Sequence, residues 1–326
     1  MARIIPPCLL MAATVYLASN AYAAPLRTES EWLWLQQTEQ QAIDNGIAPD
    51  VVHEALDNFT PNTRVVELDQ KQPETTVTFE TYRHNTVTPL RIRRGAELMN
   101  LYARELAAIE ARTGVPPSIV VALWGIESSF GRNEGDYETI NSLATLAYEG
   151  RRADFFRSEL FAALRILERE RMPSTALRGS WAGAMGQSQF MPSTYLRHAV
   201  DGDGDGRIDI WNDSVDALAS IAAYLAAEGW KRDLTWGREV EGSAVAPVDI
   251  GLTQTHSLQE WARKGVTNAD GSPLPQRDLQ ASFVQPDGAG GSGFLVYDNL
   301  RALMRWNRST YFAVSVGLLA DGIRAY

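Results

Sequence analysis

The sequence predicts an α+β protein, mainly helical, and three observations carry that prediction. Apolar residues recur at helical spacing through most of the 326 residues. A single stretch, from about Thr235 to Gly293, turns to Gly, Pro, Asp, Ser and Val, the residues of loops and short strands. The composition, 45% hydrophobic and 21% charged, is that of a globular chain able to bury a sizeable core. A net charge of −10 with a pI near 5.0 excludes a nucleic-acid binder, which needs a basic surface. It allows a cell-wall polymer, held by local positive groups or neutral hydrogen bonds.

Taken in order, residues 1–23 read as an export signal. Arg3 opens it, an apolar segment runs from Cys8 to Ala18, and Ala21-Tyr22-Ala23 offers a small-x-small cleavage site. Cleavage after Ala23 removes Cys8, the only cysteine, leaving a thiol-free mature protein suited to an oxidising compartment and soluble in it. No other stretch is long and apolar enough to span a membrane. An N-terminal helical region, 24–90, follows. Ser30 to about Asn58 is amphipathic with a break at Gly46, and 61–90 reads as irregular, with Thr76–Tyr82 a short extended piece or a loop. Arg91 to Thr113 reads as one helix. Further helices are expected over Asn141–Tyr148, Asp154–Arg171, Asp213–Glu228, Asp298–Asn307 and Tyr311–Gly322.

The chemistry gathers on Val115–Gly131, V-P-P-S-I-V-V-A-L-W-G-I-E-S-S-F-G. Pro116 and Pro117 suit a helix start, Ile119 to Ile126 supply an apolar helix, and Gly131 is a stop. Glu127 stands near the end of that run. A carboxyl in such a setting is paired with an arginine, hydrogen-bonded, or kept protonated by desolvation, and in the last case it is a general acid. A second stretch, Gly179–Tyr195, mixes glycines with neutral hydrogen-bonding groups (Ser180, Gln187, Ser188, Gln189) and flat rings (Trp181, Phe190, Tyr195). That mixture suits a sugar, although a Gly-rich loop before a helix capped by Ser193 would look similar.

The third signal is Asp201-Gly-Asp203-Gly-Asp205-Gly-Arg207-Ile-Asp209. Oxygen ligands at positions 1, 3 and 5, a glycine at 6 and a carbonyl ligand from Arg207 at 7 match a calcium loop of EF-hand type. Position 12 departs from it, being Asn212 rather than a bidentate glutamate.

E-S-S-F-G, then N-S-L-A-T-L-A at 141–147, then A-G-A-M-G-Q-S-Q-F-M-P-S-T-Y, in that order, resemble the lytic murein transglycosylases of the B type. The likeness runs from about Arg91 to Trp230 and returns near L-M-R-W-N at 303–307. It implies a lysozyme-like α-helical core with Glu127 as the single catalytic residue. It also implies cleavage of the β-1,4 bond between N-acetylmuramic acid and N-acetylglucosamine, leaving a 1,6-anhydro end. Ser180, Gln189 and Asn307 match positions that line the family's site. Ser128, Gln187, Tyr195 and Trp306 are counted with them as groups facing substrate, and Trp306 reads equally as core. The loop resembles the family's structural calcium site, whose closing carboxylate lies further on, here Asp216 with Asp213 in reserve.

One carboxylate is enough if the substrate's N-acetyl group stabilises the cationic centre. The expected layout is a catalytic core over 91–234 with the metal loop, a small β-containing insertion over 235–295, and C-terminal helices over 296–326 completing the site. No organic cofactor is expected. The expected partners are peptidoglycan glycan strands in the periplasm, with cell-wall synthesis proteins as further candidates and no nucleic acid. A muramidase using water, with Asp136 or Glu138 as second carboxylate, and a non-catalytic wall-binding protein are the rival readings.

Overall fold

In the computed structural model the described residues are 27–71 and 77–326; the expected signal segment and Cys8 lie outside them. Four helices come first among the described residues: α1 (Glu29–Asp44), α2 (Pro49–Leu56), α3 (Thr63–Gln70) and α4 (Phe79–Thr86). Their starts are written locally. Thr28 and Glu31 form a capping box on α1, Pro49 opens α2, and the Asn62 side chain accepts from Arg64 N and Val65 N at the head of α3. Within the stretch expected to be a short extended piece or a loop, Thr76–Tyr82, of which Thr76 lies outside the described residues, α4 begins at Phe79. Thr78 accepts from Thr81 N as its N-cap, and Phe79 is fully buried, edge-on to Phe294 and Tyr311. Burial of Phe79 and the cap outweigh the β-branched run that suggested a strand.

The expected single helix over Arg91–Thr113 is two, α5 (Pro89–Leu101) and α6 (Ala103–Thr113), broken at Tyr102. Gly114 then turns the chain in the left-handed region, and α7 (Pro117–Ser128) leaves at 109° to α6. Every residue of α7 from Ser118 to Gly125 is buried, since α5, α6 and two later helices surround it. A helix apolar on all sides belongs in the centre of a core. Among the described residues no single helix is long and apolar enough to cross a membrane.

A two-stranded antiparallel ribbon, β1 (Tyr137–Glu138) with β2 (Arg178–Gly179), brackets α8 (Thr139–Glu149) and α9 (Ala153–Glu170). The next helix, α10 (Pro192–His198), starts with Pro192 rather than under a Ser193 cap. Ser193 instead gives its N–H and hydroxyl to the buried Glu159 carboxylate, at 2.9 and 2.7 Å. α11 (Ser214–Ala227) follows the acidic loop and packs on α6 and α7. An antiparallel sheet comes next, from β3 (Gly237–Glu241), β4 (His256–Ser257), β5 (Thr267–Asn268), β6 (Gln280–Val284) and β7 (Gly293–Val296), in the order β4-β6-β7-β3-β5. It encloses a small core of its own around Trp261 and Phe283, with α12 (Leu258–Arg263) on it. The chain then returns to the helical body with α13 (Asp298–Trp306) and α14 (Thr310–Ala325).

Gly317 on α14 marks where sheet and helices are pressed together. A Cβ there would stand 2.2 Å from the ring of Trp236, whose indole donates to Asp321 at 2.9 Å. Gly317→Ala should therefore destabilise the fold by about 1–3 kcal/mol, seen as a lower urea midpoint. An unchanged midpoint would mean that the ring is free to move.

Candidate active site

Glu127 is the penultimate residue of α7, and the sequence around it explains why its carboxyl faces outward. After Ser128 the chain takes left-handed conformations at Ser129 and Phe130 (φ 53° and 64°), costly for residues with side chains and a mark of functional sites. The reversal folds Phe130 back over Gly125, where any Cβ would meet the ring at 2.6 Å, and sets it edge-on to Trp124. Ser128 locks the turn. It is fully buried, donating to Trp124 O at 3.2 Å and accepting from Gly131 N at 2.9 Å.

The Glu127 side chain is partly exposed, and its Oε1 accepts a 2.6 Å hydrogen bond from Trp306 Nε1 at the end of α13. Burial among apolar neighbours pushes its pKa up to about 7, and the indole hydrogen bond opposes that rise. Trp306 is itself held between Phe190 and Tyr224, with ring centroids 5.3 and 4.9 Å away, and the Tyr224 hydroxyl donates to Arg305 O. Tyr82 of α4 comes close enough that the Glu127 charge helps raise its phenol pKa, after the larger effect of burial. The sequence reading missed Tyr82 because it read that segment as extended or loop.

Of the residues expected to face substrate, three do not. Gln187 is buried and fully engaged. Its Oε1 accepts from Trp124 Nε1 (3.0 Å) and Ser214 Oγ (3.1 Å), and its Nε2 donates to Trp211 O (3.1 Å). Tyr195 is fully buried, donating to Ile208 O at 2.8 Å, and Ser128 is the turn lock already described. Buried polar groups with satisfied partners belong to the frame of a site. Ser180, Gln189 and Asn307 remain open. Ser180 is half-buried and its Oγ accepts from Ala184 N, which leaves the hydroxyl hydrogen to donate. Gln189 gives Nε2 to Glu134 O and Gly186 O, both at 2.9 Å. Asn307 is exposed beside Trp306, its Oδ1 accepting from Ser309 N. Phe190 against Trp306 brings the 179–190 loop to the end of α13, next to Glu127.

Asp136 and Glu138 are exposed on the ribbon, Glu138 lying 3.7 Å from Arg178. Glu134, which the sequence did not single out, has a pKa raised to about 7, first by burial and then by the Asp209 charge.

The acidic loop gathers its carboxylates closely. Carboxylate oxygens of Asp201, Asp203 and Asp205 all lie within 4.8 Å of one another. Gly204 and Gly206, at φ 85° and 90°, turn the chain so that both N–H groups reach Asp201, holding it below the usual carboxylate range. Asp216 faces the loop from α11, accepting from Gly202 N at 2.6 Å and Asp209 N at 2.7 Å. Asp213 is the N-cap of α11, its Oδ1 accepting from Val215 N and Asp216 N. Gathered hard oxygen donors, with Arg207 exposed and its carbonyl at position 7, fit calcium.

The family model described as Transglycosylase SLT domain matches residues 30–321. Membrane-bound lytic murein transglycosylase B of Escherichia coli (strain K12) is 33% identical over 295 residues, 88% of this chain and 78% of that one. SltB3 of Pseudomonas aeruginosa, solved in complex with NAG-anhNAM-pentapeptide, superposes with a TM-score of 0.87 at 43% identity, over 91% of this chain and 80% of that one. The Escherichia coli lytic transglycosylase Slt35, solved in complex with calcium, gives a TM-score of 0.76 at 32% identity, over 90% and 93%. The fold is that of these lysozyme-like enzymes, and the chain belongs to the family of lytic murein transglycosylases.

Proposed function

We propose that this protein is a peptidoglycan lytic transglycosylase, cleaving the β-1,4 bond between N-acetylmuramic acid and N-acetylglucosamine with Glu127 as its general acid and base. The observation that carries the reading is the Glu127 carboxyl, raised to about 7 by burial and hydrogen-bonded by Trp306. In the first step protonated Glu127 gives its proton to the leaving oxygen as the C1–O bond breaks, and the substrate's N-acetyl group shields the cation at C1. In the second, the C6 hydroxyl closes on C1 and its proton returns to Glu127. No water enters the balance. The Trp306 hydrogen bond favours the carboxylate that exists between the two steps, so one residue serves both. Ser180, Gln189 and Asn307 supply neutral hydrogen bonds to sugar hydroxyls, and Trp306 offers an apolar face.

Calcium in the 201–216 loop is part of this proposal. Asp201, Asp203, Asp205, the Arg207 carbonyl and Asp216 would hold it, with a structural role, as it ties the loop to α11. So are export with cleavage near Ala23, residence in the periplasm, and the division into a 24–90 helical region, a 91–234 catalytic core, a 235–295 insertion and C-terminal helices.

Mass spectrometry of muropeptides released from purified peptidoglycan tests the chemistry. Products one water lighter than hydrolytic ones are expected, and Glu127→Gln should lower their rate by about 10²–10⁴. Reducing-end products would mean a muramidase, and undiminished release by the variant would mean that Glu127 is not the acid. Because the acid must be protonated, kcat/KM should fall as pH rises through about 7. Trp306→Phe removes a bond that favours the carboxylate, so it should move that fall to higher pH; a shift to lower pH would contradict the assignment. Calcium at a hundredfold excess over Kd should stabilise the fold by about 2.7 kcal/mol, an effect lost in Asp216→Asn. An equal Tm with calcium and with chelator would remove it from the account.

A further inference from the structure

α4 brings Tyr82 close to Glu127, yet it is only eight residues long. A helix of about two turns does not keep its place by itself, so its position is set by what grips it. The insertion supplies much of that grip. Asp287, in the turn between β6 and β7, accepts hydrogen bonds from the backbone N–H of Phe79 and from that of Glu80, the latter at 3.3 Å. These are donors that the head of a helix leaves free, and the Thr78 cap takes only Thr81 N. The Asp287 carboxylate also accepts from the Tyr311 hydroxyl at 2.9 Å. The Phe79 N–H above all, then the Tyr311 hydroxyl, hold it below the usual carboxylate range, so it stays an anion at the positive end of α4. Two further ties run the same way. Ser292 Oγ donates to Glu80 Oε1 at 2.8 Å, and Arg83 gives both guanidinium nitrogens to Glu239 of β3, at 2.9 and 3.1 Å. Tyr82 therefore lies between two residues that the insertion holds.

The rings continue the link. Phe79 is edge-on to Phe294 of β7 and to Tyr311, and the Tyr311 ring lies 6.0 Å from that of Tyr82, centroid to centroid. One carboxylate thus fixes both the head of α4 and the hydroxyl of the ring packed against Tyr82. Polar ties at an exposed turn add little to stability. What they decide is where α4 lies, and Tyr82 with it. Among the described residues the charged groups acting on Tyr82 are Glu127 and Arg91 of α5, while Glu127 itself is governed by burial and the Trp306 bond.

We propose that Asp287 is a positioning residue for the reaction: acting from the insertion through α4 and Tyr311, it holds the Tyr82 ring beside the Glu127 carboxyl and keeps water from it. The proposal rests on the transglycosylase reading above and gives the insertion a part in it. Release of α4 would admit water to Glu127, and hydration favours the carboxylate, so the acid would lose its proton at lower pH.

Asp287→Ala should lower kcat by about tenfold to a hundredfold with KM little changed, as expected of a small misplacement at the reacting centre. Asp287→Asn, which can still accept from the α4 N–H groups, should recover most of that loss, and an equal loss in both variants would overturn the proposal. In a Tyr82→Ala background Asp287→Ala should lower kcat no further, because it acts through Tyr82. Losses that simply multiply would make Asp287 a structural residue and overturn its positioning role. The fall of kcat/KM with pH should move to lower pH in Asp287→Ala, and an unmoved fall would also overturn it. The carboxyl ¹³C titration of Glu127 gives a readout without turnover. Its midpoint should drop below about 7 in Asp287→Ala, and an unchanged midpoint would contradict the proposal. Were that variant not to fold, Tyr311→Phe, which removes a single hydroxyl, must lower the midpoint in the same direction or the proposal fails. If the wild type released no anhydro products, the functional reading would fail, while the midpoints would still decide what Asp287 does.

Discussion

Everything in this molecule depends on holding one carboxyl at the end of a helix that water cannot reach. α7 is buried along almost its whole length, and Glu127 is placed where that helix emerges. Desolvation there favours the neutral acid. The C-terminal end of a helix carries partial negative charge, which acts in the same direction. Such a residue works against folding above neutral pH, because the native state must then hold an ionised group that would be better hydrated in the unfolded chain. The fold tolerates this because the rest of α7 is so thoroughly packed.

The surroundings of Glu127 are fixed from two sides. On one, Phe130 folds over Gly125 and Ser128 closes the turn, so the carboxyl is aimed by its own loop. On the other, Trp306 arrives from the C-terminal helices and is wedged between Phe190 and Tyr224. Gln187 joins α7 to the region of the acidic loop, bonding Trp124 on α7, Ser214 at the head of α11, and the Trp211 carbonyl. Asp216, two residues into α11 from Ser214, bonds the loop itself. Through that short series of contacts, order in the acidic loop bears on the position of α7.

Much of this was legible in the sequence where one local rule decided the outcome. The apolar run of α7, the Gly-spaced aspartates and the change of composition near residue 235 each correspond to a simple physical requirement. What could not be read was which polar groups turn inward. Gln187 and Gln189 are two residues apart in a loop without regular geometry, and only the fold makes one a strut and leaves the other half-buried. Tyr195 looked like a platform for sugar, yet its ring and hydroxyl are both consumed by the core. α4 was hidden by its threonines, because the burial of Phe79 against Phe294 and Tyr311 is a long-range effect. Tyr82 was lost with it.

The central claim is that its setting raises the Glu127 carboxyl to about 7, so that a large share of it is protonated at neutral pH. The most direct measurement is a carboxyl ¹³C NMR titration of the folded protein, with Glu127→Gln identifying the signal. A midpoint near 7 is the result this account predicts. A midpoint near the ordinary glutamate value of 4.5 would contradict it, since the residue would then be an ordinary anion at working pH.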